Sequence, residues 1–299
     1  MNITLTGATG FVGGRAIKRL LAGGHQLHCL GREIRQGMPP QVRFSIWHAT
    51  ASDPPEESLE GADAVIHLAG EPVGQRWTPA IKKRIFSTRV EGTRRLVATL
   101  ARLKNRPKVL LAASAVGIYG SRGDEVLTER SEPGTGFLAQ VCLAWEQESS
   151  AAAALGMRVV RLRLGMVLGP QGGALAQMLF PFRMFLGGTL GQGTQWTSWI
   201  HIEDLLDLML YALNKSELAG AVNATSPNPV TNAEFTNALA EALRRPALLR
   251  IPESVLRLLF GEGAQVALSS QRAVPEAALQ AGFTFHYPHL RPALKNLLG

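Results

Sequence analysis

An α/β fold built on a doubly wound parallel sheet is predicted by the order of apolar segments along the chain. Short runs of aliphatic and β-branched residues alternate with stretches of helical periodicity. The first run, Asn2 to Thr6, leads through a glycine turn into a helix that begins at Phe11. Another run, Asp63 to Gly70, is almost wholly apolar, as expected for a strand covered by helices on both faces. Alternation at this spacing is typical of βαβ units, and therefore of a Rossmann-type sheet.

Six strands with helices between them follow from this pattern, taken in order. The predicted strands are 2–6, 26–30, 43–47, 63–70, 107–114 and 158–164, and the predicted helices are 11–22, 79–103 and 137–155. Beyond Gly165, glycine, proline and aromatic residues become frequent, and helices are predicted near 231–243 and 252–260. We therefore predict a main Rossmann domain from residues 1–165 plus 200–222. Residues 166–199 plus 223–299 are predicted to form a smaller C-terminal substrate-binding lobe.

Composition places the chain among soluble globular proteins. It has 299 residues, of which 46% are hydrophobic and 18% charged, so it can bury a sizeable core. No apolar run approaches the ~20 residues needed to span a bilayer, and no export signal precedes the first strand. Cys29 and Cys142 lie in apolar stretches without metal-ligand spacing. These observations predict a cytoplasmic protein with packed thiols, no bound metal and no membrane partner.

A formal net charge of +8 is open to three interpretations. It fits an ordinary basic surface, an attraction to anionic small molecules, or nucleic-acid binding. The arginines are dispersed, with no basic run and no interleaved aromatic residues, so nucleic acid is not expected. A small-molecule partner is predicted, and the oligomeric state is left open.

Three glycines at three-residue intervals, Gly7, Gly10 and Gly13, follow the first predicted strand. In a strand–turn–helix unit the first allows the tight turn, the second lets a ligand approach the backbone, and the third lets the helix pack on the strand. The free N–H groups and the dipole at the helix start suit a pyrophosphate. An ordinary glycine turn is the alternative, but the position of the motif favours a dinucleotide site.

The end of the second predicted strand indicates which dinucleotide is bound. Chains that bind NAD usually carry Asp or Glu there, about 20 residues after the glycine turn. Here Gly31 is followed by Arg32, with Arg35 close behind. A guanidinium pairs well with a 2′-phosphate. An exposed loop arginine is the alternative, but the location favours NADP(H).

Several motifs resemble, in the same order, those of extended short-chain dehydrogenase/reductases, the nucleotide-sugar epimerase/dehydratase-like proteins. These are Thr6–Gly13, His67–Gly70, Arg89–Thr93, Ser114–Gly120 and Trp199–Asp204. Arg163–Gly169, Met178–Phe182 and Gly187–Gly193 resemble one atypical branch, usually named only "epimerase family protein". The resemblance covers essentially the whole chain and implies an NADP(H) site. With the glycine turn and Arg32, the predicted cofactor-binding residues are Gly7, Thr9, Gly10, Phe11, Val12, Gly31, Arg32, Leu68, Ala69, Gly70, Arg89, Ser114 and Met166.

The catalytic residues implied by the resemblance are only partly present. Working members use a Ser or Thr together with Tyr-x-x-x-Lys, in which the tyrosine relays a proton and the lysine lowers its pKa. Ser114 matches the serine, but Phe137 and Val141 stand where the tyrosine and lysine are expected. The one literal match, Tyr211 to Lys215, lies on a later helix and is interpreted as a chance match. Ser114 and Tyr119 remain the candidate catalytic residues.

In the lobe, Gln192, Gln195, Trp196 and Trp199 resemble the region that binds the second ligand in sugar-nucleotide enzymes. Core packing of the aromatic residues is equally compatible with the sequence. His201 before Glu203-Asp204 fits either an acid–base pair or a helix cap, and we favour the cap. Two functions follow. The first is an atypical NADP(H)-dependent oxidoreductase or epimerase-like enzyme acting on an unknown, nucleotide-sugar-like substrate. The second is a protein that binds or senses NADP(H) without catalysis.

Overall fold

A seven-stranded parallel sheet forms the centre of the protein, in the strand order β12-β7-β5-β4-β1-β2-β3. The computed structural model describes residues 1–34 and 36–299. The strands are β1 Asn2–Thr6, β2 Gln26–Gly31, β3 Arg43–Ile46, β4 Ala64–His67, β5 Val109–Ala115, β6 Val126–Leu127, β7 Arg158–Leu164, β8 Met166–Leu168, β9 Gly188–Leu190, β10 Trp196–Thr197, β11 Trp199–His201, β12 Gly220–Ala224, β13 Val230–Thr231, β14 Leu249–Ile251 and β15 Arg272–Ala273. The chain runs outward from β1 in both directions, so β1 and β4 flank the point where the strand order reverses, the usual ligand position in such sheets.

Ten helices accompany these strands within the described residues. They are α1 Phe11–Ala22, α2 Pro79–Arg102, α3 Phe137–Ser150, α4 Gly173–Arg183, α5 Ile202–Asn214, α6 Asn232–Leu243, α7 Glu253–Phe260, α8 Gln265–Leu268, α9 Glu276–Gln280 and α10 Leu290–Leu298. Single turns of 3₁₀-helix occur at Glu56–Ser58, Val116–Tyr119, Ala151–Leu155 and Gly261–Ala264. The predicted doubly wound fold is confirmed, with α1 and α5 packed together and α2 packed against α3.

The six predicted strands are all present, but the sequence did not reveal the seventh, β12. Its sequence, Gly-Ala-Val-Asn-Ala, contains one β-branched residue and so gives a weak strand signal. It pairs with β7 from Gly220 to Ala224, so the domain boundary predicted at residue 222 falls inside this strand.

The lobe has a core of its own around Trp199, which is completely buried together with residues of α4, α6 and α10. Four two-stranded pairs supplement it, including the parallel pairs β9–β14 and β6–β15. Not all of the predicted lobe belongs to this core. Phe283 and Phe285 are buried with the main-sheet residues instead, which ties the end of the chain to both parts.

Both cysteines are packed thiols, as predicted. Cys29 and Cys142 are free and buried, and burial raises the pKa of each thiol to about 12. Within residues 1–34 and 36–299, His, Cys, Asp and Glu side chains form no group of three or more suited to a metal ion. Of the helices in that described part, none combines the length and apolar character that crossing a membrane requires.

Candidate functional site

The glycine turn after β1 has the geometry that its sequence predicts. Gly7 has a φ of +71°, and a Cβ there would lie 2.7 Å from the carbonyl carbon of Leu68. A Cβ at Gly13 would lie 2.2 Å from the oxygen of Gly7, so only glycine lets α1 sit this close to the turn. At Gly10 a Cβ would meet only the Gly7 oxygen, at 3.2 Å. The exposed side of Gly10 is therefore open to a ligand.

Backbone donors at the start of α1 face this opening. Gly10 is the N-cap residue, and no side chain of the described chain accepts a hydrogen bond from the first turn. The first turn also contains no acidic residue. Because the first N–H groups of a helix have no partners within it, they are available to an anion. The turn therefore fits a dinucleotide pyrophosphate.

Other predicted cofactor residues surround the turn at the carboxyl edge of the sheet. Gly31 ends β2, and a Cβ there would lie 3.7 Å from Cγ2 of Thr9. Arg32 follows as an exposed side chain, whereas Arg35 lies outside the described residues. The ring of Phe11 contacts the loop before α4, since a Cβ at Gly172 would lie 2.7 Å from it. The cofactor assignments of these residues stay predictions.

The remaining residues of the predicted cofactor set are partly accessible. Val12, Leu68, Ala69 and Met166 are half-buried, and Gly70 is exposed. Leu68, Ala69 and Gly70 follow β4, which pairs with β1, so they border the glycine turn directly. Met166 begins β8. This placement is compatible with the roles that the resemblance implies.

A buried histidine supports the turn from below, and sequence reasoning did not single it out. Nδ1 of His67 lies 2.7 Å from Oγ1 of Thr6, and Nε2 lies 2.9 Å from Oγ1 of Thr93. The amide of Ala69 donates a hydrogen bond to Thr6 Oγ1. Burial lowers the pKa of His67 to about 4, so it is neutral at pH 7. These hydrogen bonds connect β1, β4 and α2 and fix their relative positions.

Arg89 points inward from α2, whereas Arg84 on the same helix is exposed. Nη1 of Arg89 donates to the carbonyl of Glu71 at 2.8 Å, and the Arg89 guanidinium lies 5.2 Å from the ring centroid of Trp145. A Cβ at Gly70 would lie 3.1 Å from the guanidinium carbon. Burial lowers the pKa of Arg89. Arg89 therefore supports the backbone beside the predicted cofactor site.

Ser114 and Tyr119 belong to a buried hydrogen-bond network, which we call the serine–tyrosine network: Ser114, Glu146, Arg163, Tyr119 and Asn223. Ser114 Oγ donates to Glu146 Oε1 at 2.7 Å. Arg163 donates to both oxygens of that carboxylate, at 2.8 and 3.0 Å. Arg163 also donates to the hydroxyl of Tyr119, which in turn donates to Asn223 Oδ1 at 2.7 Å. Both hydroxyl hydrogens are therefore already engaged within the protein.

This arrangement bears on the two candidate catalytic residues. Ser114 is 1% exposed and Tyr119 is completely buried, and desolvation raises the pKa of Tyr119. A proton donor must reach its ligand directly or through one water, and neither hydroxyl presents its hydrogen to solvent. Their catalytic roles stay predictions, and the geometry favours a structural role for Tyr119. Sequence analysis assigned no role to Glu146 or to Arg163. The available signals were an acidic residue within the largely apolar helix α3 and an arginine near the end of β7.

The positions at which the resemblance expects tyrosine and lysine are packed with apolar residues. Phe137 opens α3 and meets Trp77 edge to face, with ring centroids 5.2 Å apart. Val141 is 1% exposed and packs in a cluster with Trp77 and Ile85. Nζ of Lys82 lies 4.8 Å from the centroid of the Phe137 ring. The substitutions are accommodated by packing around both side chains.

A cavity of about 500 Å³ lies between the start of α3 and the lobe. Phe137 lines it, as do two of the predicted substrate residues, Gln192 and Gln195. Gln195 uses its amide hydrogens on the carbonyls of Leu190 and Ala267, whereas Gln192 is exposed. Hydroxyl and amide side chains dominate the rest of the lining, together with a salt bridge between Glu253 and Arg257. The cavity is suited to a polar small molecule.

The two predicted substrate tryptophans lie elsewhere. Trp199 is completely buried and donates from Nε1 to the carbonyl of Asn228. Trp199 has no surface free for a ligand. The structure therefore shows the alternative interpretation, in which Trp199 packs in the lobe core. Trp196 is half-buried, donates to Asp124, and lies 4.1 Å beneath the guanidinium of Arg272. Trp196 does not line the cavity.

Two further sequence interpretations are confirmed. Nδ1 of His201 accepts from the amide of Glu203, as a cap at the start of α5. Tyr211 and Lys215 lie at the end of α5, only a few residues before β12 begins. Since β12 is parallel to the other strands, that end lies at the edge of the sheet opposite the glycine turn. Tyr211 is bonded there to the carbonyl of Ala281.

Comparison with known proteins agrees with this architecture. A model of the NAD-dependent epimerase/dehydratase family matches residues 3–225, and a model described only as a domain of unknown function matches residues 251–297. The chain is 40% identical to the epimerase family protein SDR39U1 homolog, chloroplastic, of Arabidopsis thaliana, over 100% of this chain and 87% of that protein. It is 37% identical to the epimerase family protein YfhF of Bacillus subtilis, over 100% and 98%.

Solved structures give the same result. The crystal structure of human epimerase family protein SDR39U1 (isoform 2) with NADPH has a TM-score of 0.89 and 32% identity, covering 100% of this chain and 99% of that one. A nucleoside-diphosphate sugar epimerase from Corynebacterium glutamicum has a TM-score of 0.82 and 35% identity, covering 100% of this chain and 58% of that one. The chain therefore belongs to the NAD-dependent epimerase/dehydratase family.

Proposed function

We propose that the protein binds NADP(H) at the glycine turn after β1. The observation that carries this proposal is the first turn of α1, whose backbone donors are uncapped in the described chain and lie behind the open side of Gly10. Arg32 stands at the end of β2 and is available to a 2′-phosphate. The human relative with NADPH supports the same assignment.

When bound, NADP(H) supplies a hydride donor or acceptor. The residues of this chain would bind and orient it. Amides of Phe11, Val12 and Gly13 would donate to the pyrophosphate, and Arg32 would pair with the 2′-phosphate. Leu68 to Gly70 would border the cofactor along β4. The neutral His67 beneath them would hold this edge rigid, because both of its ring nitrogens are bonded to threonine hydroxyls.

The second ligand would occupy the cavity beside Phe137. Its hydroxyl and amide lining, with Gln192 accessible, supports a small, hydroxyl-rich substrate of the nucleotide-sugar type. We propose an atypical oxidoreductase or epimerase-like activity on such a molecule. Dispersed arginines favour a small molecule over nucleic acid. Two free, buried thiols support a reducing compartment such as the cytoplasm.

A second function, binding or sensing of NADP(H) without catalysis, is favoured by one specific observation. Ser114 donates its hydrogen to a carboxylate that Arg163 holds in place, and Phe137 cannot transfer a proton. A hydride transfer to a carbonyl requires a proton donor at the oxygen. A catalytic function would therefore require a donor other than the tyrosine that the resemblance expects.

Cofactor binding is tested by titrating the protein with NADPH and with NADH while following nicotinamide fluorescence. We expect tighter binding of NADPH, and Arg32→Ala should weaken it by about tenfold, the effect of losing one charge-assisted hydrogen bond. Arg250→Ala removes an exposed arginine from the lobe and controls for net charge. Equal affinity for the two nucleotides would contradict the role of Arg32, and binding of neither would contradict the site.

Catalysis is tested separately, by measuring NADPH oxidation with a panel of carbonyl compounds and nucleotide sugars. Turnover of any member identifies the reaction class and excludes the sensing function. A panel without turnover, obtained with protein that binds NADPH, favours binding without catalysis.

A further inference from the structure

An exposed apolar surface lies on the lobe, formed by Phe180, Met184, Phe185, Leu186, Leu248 and Leu249, which we call the lobe patch. All six side chains are exposed, with Leu248 at 90% and Phe180 at 72% of their full accessible surface. Large apolar side chains exposed side by side usually mark a surface that contacts something else.

The lobe patch has one part at the end of α4, up to Leu186, and another at Leu248 and Leu249, and backbone pairing holds these two parts together. β14 pairs with β9 in parallel, with Leu249 opposite Gly188, two residues beyond Leu186. The guanidinium of Arg245, just beyond α6, lies 5.0 Å from the ring centroid of Phe185. The end of α4, the end of α6 and β14 therefore form one continuous surface.

The backbone at Phe185 holds its ring outward at a cost to folding. Its φ is +62°, in the left-handed region that favours glycine. The amide of Leu186 donates to the carbonyl of Pro181, six-to-one pairing that closes the end of α4 as a Schellman turn. Phenylalanine thus occupies the position where glycine is usual. Neither backbone conformation nor burial accounts for it, which indicates that the exposed ring itself has a use.

Four arginines accompany the lobe patch: Arg183, Arg244, Arg245 and Arg250. All are exposed. Within the described chain, none of the four forms an ion pair with an acidic side chain, although many other surface arginines do. The chain has no Asp or Glu between Glu148 and Glu203, or between Glu241 and Glu253. The segments that form the lobe patch therefore contribute apolar and cationic side chains and no acidic ones.

We propose that the lobe patch docks the protein onto an anionic lipid surface. Apolar side chains that enter the interface, flanked by arginines that pair with phosphate groups, are the features of peripheral membrane contact. A side chain as exposed as Leu248 protrudes rather than lining a groove, which suits a deformable bilayer. A second copy of the chain is a poor occupant, because a two-fold contact would bring both sets of arginines together.

This contact departs from the sequence-based expectation that no membrane is a partner. That expectation rested on the lack of an apolar run long enough to span a bilayer. Docking from one side needs no spanning segment. It is independent of NADP(H) binding, since none of the patch residues belongs to the predicted cofactor set.

Binding is tested by co-sedimentation of the whole protein with vesicles of phosphatidylcholine alone and of phosphatidylcholine and phosphatidylserine in equal parts. We expect the protein to pellet with the anionic vesicles only, and less so as salt is raised. No binding to anionic vesicles overturns the proposal. Equal binding to both kinds of vesicle overturns the role of the arginines.

Matched variants show whether vesicle binding depends on the lobe patch itself or on the overall charge and surface hydrophobicity of the protein. Arg244→Gln/Arg250→Gln should reduce the partition coefficient by about 30-fold, at roughly one kcal/mol per arginine. Arg95→Gln/Arg102→Gln, which removes two ion-paired arginines from α2, should have little effect. Phe180→Ser/Leu248→Ser should weaken binding by at least about tenfold, and Leu143→Ser/Leu279→Ser should not. Equal losses within either matched pair would overturn the proposal.

Phe185→Gly distinguishes a docking role from a structural one. Glycine relieves the left-handed backbone, so Tm should be unchanged or higher while vesicle binding falls. A lower Tm with unchanged binding would assign Phe185 to folding and contradict its part in docking. Sedimentation velocity of the wild type and of Phe180→Ser/Leu248→Ser checks the competing occupant. A dimer that becomes monomeric in the variant would show that the lobe patch joins copies of this chain, and would overturn lipid docking.

Discussion

The glycine turn and the serine–tyrosine network lie at the same edge of the sheet but are built in opposite ways. The turn after β1 consists of backbone and small residues, with its open side at the exposed Gly10. The network at the end of β5 consists of buried side chains whose hydroxyl hydrogens are already bonded to Glu146 and Asn223. The glycine turn has backbone donors that can accept a ligand without rearrangement, whereas the hydrogen-bonding groups of the network are already paired with one another. We therefore propose that the cofactor site persists in this family member without the tyrosine and lysine that the resemblance expects beside it.

The largest effect is expected from breaking the network. Arg163→Leu would leave the buried Glu146 without its bidentate partner, at a cost of about 3–5 kcal/mol in the free energy of unfolding. Arg161→Leu is the matched control, because Arg161 lies 3.5 Å from the same carboxylate on a more exposed side chain. We expect it to cost less than about 1 kcal/mol. Urea denaturation measures both, and equal costs would contradict the structural role of the network.

The glycine turn should be sensitive to acid. Burial lowers the pKa of His67 to about 4 in the folded protein, from 6.5 in the unfolded chain, so His67 takes up a proton more readily when the chain unfolds. The contribution of neutral His67 to the free energy of unfolding is therefore complete above about pH 6.5. It is lost as the pH falls toward 4, by about 3 kcal/mol in all. Urea denaturation at about pH 7 and at about pH 5 measures this slope. His67→Gln should flatten it more than His28→Gln does, and an unchanged slope would contradict this account of His67.

Alanine substitutions at Gly13 and Gly10 should differ in their effects on stability and on NADPH binding. Gly13→Ala places a methyl group 2.2 Å from the Gly7 oxygen, and should cost about 2–3 kcal/mol of stability. Gly10→Ala meets only one atom, at 3.2 Å, and should change stability by less than about 1 kcal/mol. It should nevertheless weaken NADPH binding by at least about tenfold, since the methyl group lies in front of the helix donors. Thermal melts and fluorescence titrations give the two readouts. Unchanged NADPH affinity in Gly10→Ala would place the cofactor elsewhere.

The smallest effect is expected from restoring the missing tyrosine. Phe137 is half-buried and lines the cavity, so Phe137→Tyr should change stability by less than about 1 kcal/mol. We expect no gain in NADPH oxidation, because Val141 supplies no lysine and Ser114 keeps its bond to Glu146. A substantial gain in oxidation would show that the network rearranges when a ligand binds.

The features that the sequence predicted well are those in which residue type determines local geometry. The glycine turn required a positive φ at Gly7 and close packing at Gly13, and only glycine meets both needs. The cap at His201 and the apolar strand β4 are likewise short-range patterns. Rossmann topology then follows from the alternation of strands and helices.

The features that the sequence did not predict depend on distant neighbours. Ser114 meets Glu146 across 32 residues, and Tyr119 meets Asn223 across 104. Nothing local distinguishes Trp196 from Trp199, yet one is half-buried and the other completely enclosed. The burial of each depends on how the lobe closes over the sheet. The strand β12 was missed because its pairing with β7, rather than its composition, makes it a strand.

The pairing of β9 with β14 has a consequence for the order of folding during synthesis. Gly188 to Leu190 leaves the ribosome some sixty residues before its partner strand, Leu249 to Ile251. The separation in sequence is larger still between β6 and its partner, Arg272 and Ala273. Contacts this distant in sequence form late, because the intervening chain must be closed into a loop first. The sheet strands up to β7 can assemble while the lobe is still incomplete. Translation pauses after residue 200 should therefore favour aggregation of nascent chains through α4, because Leu179 and Phe182 are buried only once α6 and α10 have been made.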